Sequence, residues 1–167
     1  MNEALLLLRL VVGLLMAAHG SQKLFGWFGG YGLNGTGGFL ESLGFRPGRL
    51  FAFAAGFSEL AGGLLIALGF LGPIGSALMI ATMVVATVTV HWKGGLFASS
   101  NGIELTLLYA VVAAAIAVAG PGRFSVDALL GLQWSPVFGW GAVFAGIIGG
   151  LVNLGLRHAP EAKTKEV

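Results

Sequence analysis

Cysteine is absent from the chain. That excludes disulfides, thiolate nucleophiles and cysteine-ligated iron–sulfur clusters, so any redox role has to run through a bound cofactor or a quinone. Charge is scarce as well: 10% of the 167 residues are charged and 56% are hydrophobic, whereas a soluble domain carries about 25% charged residues. So little polar surface cannot wet a globule. With a mean hydropathy of +0.90 the chain reads as an integral membrane protein without a soluble catalytic domain. The basic excess is small, a net charge of +2, and Arg157, Lys163 and Lys165 supply much of it. It is a topology signal and not a nucleic-acid surface. The pattern of a cleavable leader is also missing, because Met1-Asn2-Glu3 has no basic stretch and Arg9 interrupts the apolar run. The first segment is expected to be a retained span.

What the chain has instead is apolar runs punctuated by glycine and proline. They cover about 4–26, 50–70, 74–92, 103–119 and 137–156, each near the roughly 20 residues that cross a bilayer. The Gly72-Pro73 turn is so short that the second and third runs are antiparallel neighbours. The expectation is an all-α polytopic transmembrane bundle: a four-span membrane core over 1–130, an additional transmembrane helix within 131–157 and a polar tail over 158–167. An odd number of spans places the termini on opposite sides. The face with Arg46, Arg49, Lys93 and the tail is more basic than the face with Arg123, so the positive-inside rule predicts N-out and C-in.

Ionisable residues inside the runs then become the functional signal. A charge at bilayer depth costs about 2.5–3.5 kcal/mol, and where one is present it faces a protein interior and lines a site or pathway. Arg9, His19, Lys23 and Glu59 are such residues. At about 1.5 Å per residue, His19 and Glu59 lie at similar depth from the same edge, near enough to meet. Lys23 is a turn closer to that edge, and His91 and Glu104 end the third and fourth spans on the same face. Arg9, Gly13, Met16, Gly20 and Lys23 share one stripe of the first helix, with His19 at its border. Ala52, Ala55, Gly56, Glu59, Gly62 and Gly63 share a face of the second. Arg9 is level with the 123–127 loop, and its expected partner is Asp127, a structural ion pair.

Two readings of this cluster stand side by side. A buried carboxylate beside His or Lys can serve as interhelical packing glue, or the cluster can form a ligand, quinone or proton site. In the second reading His19 and Glu59 handle protons, and Lys23, Glu104 and His91 bind the ligand. A bis-imidazole haem between His19 and His91, or a metal held by His19, Glu59, His91 and Glu104, is a weaker use of the same side chains, and no metal is expected.

The glycine-rich segment 27–43 contains Gly30-Tyr31-Gly32-Leu33-Asn34-Gly35, a literal GxGxxG. A dinucleotide fingerprint needs a preceding strand inside a parallel α/β unit, which this context lacks. A turn followed by a short amphipathic helix over 37–43, lying against the bundle mouth, is expected instead, and a lid over the charged cluster is the sharper version of that reading. Trp27, Phe28 and Tyr31 suit an interfacial aromatic belt.

Taken in order, several short motifs resemble the DoxX family of small membrane proteins. They are Leu8-Arg9-Leu10, His19-Gly20, Gln22-Lys23-Leu24-Phe25-Gly26, Gly37-Gly38-Phe39, Gly56-Phe57-Ser58-Glu59, Gly102-Ile103-Glu104-Leu105 and Gly120-Pro121-Gly122-Arg123-Phe124-Ser125-Val126-Asp127. The resemblance spans about 6–130 and implies a four-helix DoxX-like core, beyond which the fifth span is an extension. It further implies a bacterial inner-membrane protein whose relatives include a membrane subunit of thiosulfate:quinone oxidoreductase. Other members associate with sulfurtransferase and superoxide dismutase partners in thiol-stress defence. The expected role is therefore the quinone-facing or partner-docking subunit of an oxidoreductase system, with quinone as the possible cofactor and a soluble redox or sulfurtransferase protein as electron source. A small-solute transporter or channel and a non-catalytic scaffold are the alternatives, and the glycine-rich helix faces would also suit a homo-oligomer.

Overall fold

The computed structural model describes residues 2–158, so Lys163, Lys165 and the rest of the tail beyond His158 lie outside the described residues. Among the described residues there are helices and turns and no strand. In chain order the helices are α1 (Asn2–Phe25), α2 (Gly32–Ser42), α3 (Gly48–Leu68), α4 (Ile74–Ala86), α5 (Glu104–Ala119), α6 (Val126–Leu129) and α7 (Pro136–Gly155). A π turn at Thr87–His91 and a 3-10 turn at Trp92–Gly94 prolong α4. Four helices are long and apolar enough to cross a membrane: α1, α3, the prolonged α4 (Ile74–Gly94) and α7. The expected fourth span, α5, is apolar but has 16 residues, about 24 Å of helix. Its flanks nevertheless reach both ends of the bundle. His91 Nδ1 bonds the Asn101 carbonyl at one end, and Asn2 Oδ1 accepts from Arg123 N at the other.

Glycine sets how closely these helices approach. A Cβ on Gly13 would stand 2.5 Å from the Gly63 carbonyl oxygen, and one on Gly20 would stand 2.5 Å from that of Gly56. The backbones of α1 and α3 are therefore in direct contact, the arrangement that favours helix association where lipid offers no hydrophobic drive. The faces they bury are those expected from helical spacing: Arg9, Gly13, Met16 and Gly20 on α1, and Ala52, Gly56, Glu59, Gly62 and Gly63 on α3. In α7, Gly146 and Gly150 do the same against α4, where a Cβ on Gly150 would lie 2.9 Å from Ala81 O. The glycine faces of α3 and α7 are thus used within one chain. Met16, Ile66, Met79, Ile80, Met83, Ile116 and Val143 fill the core between them.

At the end of the bundle holding the start of α1, Arg9 and the expected partner Asp127 attract each other electrostatically, and each takes its hydrogen bonds from other groups. Arg9, 1% exposed, donates to the Pro121, Phe124 and Ala67 carbonyls. Asp127, 0% exposed, accepts from Leu71 N at 2.9 Å, Gly72 N at 2.6 Å and Trp134 Nε1 at 2.8 Å. Leu71 has φ 57°, a left-handed conformation unfavourable for a branched residue. The carboxylate clamps that turn. Depth alone suggested the pairing, but chain ends supply carbonyls and amides at that same depth, and these take both Arg9 Nη atoms and both Asp127 oxygens, while Arg9 Nε has no hydrogen-bond partner among the described residues. Gly69, the residue after α3, has φ +62°, and a Cβ there would stand 2.7 Å from Arg9 Nη1, so backbone angle and guanidinium both require glycine.

Candidate functional site

The opposite end of the bundle encloses a cavity of about 290 Å³. Its walls come from four helices: Ala54, Ala55, Ser58 and Glu59 on α3, Thr82, Val85, Ala86, Thr89, Val90 and His91 on α4 and its π turn, Gly149, Gly150 and Asn153 on α7, and Lys23 on α1. The roof is α2, which contributes Thr36, Phe39 and Leu40, with Phe45 from the turn that follows. That roof corresponds to the expected lid helix, which begins earlier than expected, at Gly32 rather than 37. The GxGxxG segment, 30–35, therefore follows the 3-10 turn Trp27–Gly29 and runs into the first turn of α2, with no strand before it. Phe39 and Ala54 line the cavity and are also exposed, which places its mouth between α2 and α3.

Glu59 is 2% exposed. Its Oε1 pairs with Lys23 Nζ, and its Oε2 is a buried acceptor without a hydrogen-bond partner among the described residues. The Lys23 side chain, 33% exposed, closes the pair toward the helix end. Small residues on both sides of Glu59 let α1 approach, which is how a short lysine reach suffices to meet it.

The π turn explains His91. In a regular α-helix a residue five positions beyond Ala86 turns away from its face, whereas a π turn brings i and i+5 into line. Ala86, Thr89, Val90 and His91 all line the cavity as a result. His91 Nδ1 lies 3.0 Å from the Asn101 carbonyl oxygen. The lid is fastened from the far end of the chain, with Arg157 Nε donating to Leu43 O and His158 N donating to Gly44 O at 2.9 Å.

Of the five residues placed in the candidate site from sequence, the structure gathers three, Lys23, Glu59 and His91. His19 does not meet Glu59. It sits one residue before the buried Gly20, about 100° around the helix, so its ring turns outward against Tyr109, edge to face at 6.3 Å, and its Nδ1 lies 3.1 Å from Gln22 Oε1. Glu104 also stands outside the lining, its Oε2 accepting from Ala98 N at 2.8 Å and holding the 3-10 turn Ala98–Ser100. The haem and four-residue metal arrangements require these groups together, and the structure separates them. Among the described residues no three His, Asp or Glu side chains are grouped to hold a metal ion. Sequence reasoning missed Thr82, Thr89 and Asn153. The polar Thr82 and Thr89, seven apart in an apolar run, and the lone amide of the last span were the available signals.

A membrane-embedded helical bundle enclosing a roofed cavity with one buried, half-paired carboxylate is the class of protein these features define. The chain belongs to the DoxX family, whose family model matches residues 4–92. Comparison with curated proteins and with solved structures gives no match. The matched stretch carries Lys23, Glu59 and His91, and ends before Glu104, Asp127 and α7.

Proposed function

We propose that this chain is the quinone-holding membrane subunit of an oxidoreductase system, with the headgroup in the roofed cavity. The observation that carries the reading is Glu59 Oε2, a carboxylate oxygen buried without a partner on the wall of a cavity that is otherwise mostly apolar. Leaving such an atom unsatisfied is costly, and a ligand with a polar ring edge removes that cost. Size agrees: a cavity of about 150 Å³ takes benzene, so 290 Å³ takes a substituted ring. The mouth between α2 and α3 opens on the bundle flank, where an isoprenoid tail can remain in lipid.

Glu59, Lys23 and His91 would hold and orient the headgroup, and Phe39, Phe45 and Phe51 would exclude water from it. When bound, the quinone supplies two-electron, two-proton redox chemistry. A soluble redox or sulfurtransferase partner supplies the electrons, since the cysteine-free chain has no thiol couple of its own. We place the chain in a bacterial inner membrane, with the cavity end, carrying Arg46, Arg49, Lys93 and Arg157, on the cytoplasmic side.

Purification in mild detergent followed by solvent extraction tests the reading. About one quinone per chain is expected, and Ala55→Phe, which fills the cavity from α3, should lower that at least tenfold while the protein stays folded. Wild-type protein without quinone overturns the proposal. A chain that instead moves a small solute across vesicles would be a transporter.

A further inference from the structure

The polar atoms of the cavity are mostly acceptors. In its ion pair Glu59 is the anion, so Oε2 has lone pairs and no proton to give. His91 Nδ1 faces a carbonyl oxygen, Asn101 O, which can only accept, so Nδ1 carries a proton and, in the neutral ring, Nε2 is the acceptor. Thr89 Oγ1 donates its proton to Val85 O at 2.8 Å, and Thr82 Oγ1 donates to Met79 O at 2.9 Å. Both hydroxyls therefore present only lone pairs to the cavity. Thr36, Ser58 and Asn153 can turn either way and do not choose. Among the described lining residues Lys23 is the one whose side chain can only donate; Oε1 takes one of its three N–H groups, and that bond holds the ammonium beside Glu59.

We propose that the cavity selects a ligand with hydrogen-bond donors, and so takes the reduced, dihydroxy form of the ring in preference to the oxidised diketone. The inference rests on the reading of the cavity as a quinone-headgroup site and adds which redox form it holds. A diketone offers only acceptors and would leave Oε2 without a donor. A quinol gives one hydroxyl proton to Oε2 and has a second for His91 Nε2 or a threonine oxygen. Tighter binding of the reduced form draws the bound couple toward reduction, which suits a subunit that accepts electrons from a partner and retains them until the lipid phase takes them.

The test uses the full chain in nanodiscs, with empty nanodiscs as the blank, and three short-chain probes: a benzoquinone, its two-electron-reduced quinol under anaerobic conditions, and the dimethyl ether of that quinol. The quinol is expected to bind about tenfold tighter than the other two, the size of one hydrogen bond to a charged group. Glu59→Gln, whose amide can present N–H to the cavity, should shrink this ratio to about one or invert it. If quinone binds as tightly as quinol in the wild type, or if Glu59→Gln keeps the wild-type ratio, the selectivity inference fails while the quinone site stands. If no probe binds, the quinone reading itself fails and takes the inference with it. The ether comparison needs no variant, so a poorly folding Glu59→Gln protein leaves the decision with the wild type.

Discussion

Glu59 divides its work between two oxygens, one bonded to Lys23 and one facing the cavity, and substitutions should separate the two. Lys23→Met strands a buried anion, whereas Glu59→Gln leaves a neutral amide beside a lysine that is partly in solvent. Removing one partner of a buried pair is the more damaging change. Lys23→Met is therefore expected to lower the unfolding temperature more than Glu59→Gln, as read by scanning fluorimetry on detergent-solubilised protein, and equal losses would argue against the pairing. At the other end, Asp127→Asn keeps one acceptor oxygen but offers a donor toward Gly72 N or Trp134 Nε1. The loss expected is about 2–3 kcal/mol, checked by reversible unfolding, and a neutral effect would show that the 71–72 turn holds itself. The positions of Arg9 and Glu59 on buried stripes were legible from spacing, because a charge in an apolar helix has few tolerable orientations. Lys23 beside Glu59 was legible too, but the partners of Arg9 and Asp127 were not, because backbone carbonyls and amides carry no signature in the side-chain sequence. His19 was misplaced for a related reason: a residue at the border of a stripe is turned in or out by its neighbour helix, here α5 through Tyr109.

Elements depart from regularity at the site. Periodicity predicted one helix over 74–92, and its length was right, but the π turn at Thr87–His91 adds a residue per turn without altering the apolar pattern. Val88 is exposed and does not line the cavity. Deleting it would put His91 four residues after Ala86, a spacing that keeps both on one face of a regular α-helix, so binding should survive the deletion, whereas His91→Ala should lower ligand affinity at least tenfold with little change in stability. Unchanged binding by His91→Ala would remove His91 from the site. Where packing is the only function, overfilling should act on stability instead. Gly63→Val puts carbon atoms within 2.5 Å of the α1 backbone at Ala17 N and Gly13 O, and a loss of about 1–3 kcal/mol or more is expected, measured by thermal unfolding. That interface was legible in advance because small residues recur at helical spacing on both partners. The role of the α7 glycines was not, since a glycine face suits a neighbour in the same chain and a second copy equally well.

For the whole molecule, the cavity end gathers Lys23, Arg46, Arg49, Lys93 and Arg157, while the other end exposes Arg123. With no native cysteine, Ser42→Cys and Leu130→Cys each give one unambiguous thiol. A membrane-impermeant maleimide applied to intact cells should label Leu130→Cys only, with Ser42→Cys reacting after permeabilisation, and the reverse pattern would invert the topology. The family match stops at residue 92, yet α7 completes the cavity wall through Gly149, Gly150 and Asn153 and fastens its roof through Arg157 and His158. Synthesis runs from the N-terminus, so α1, α3, α4 and the shorter α5 leave the ribosome and enter the bilayer before this wall exists. Until α7 inserts, the carboxylate of Glu59 faces a trough open to lipid, and the site comes into being only when α7 joins the bundle. Chains cut short by a premature stop would then be membrane-inserted but empty-handed, and the quality-control proteases that survey membranes would meet an exposed charge where the finished protein has a pocket.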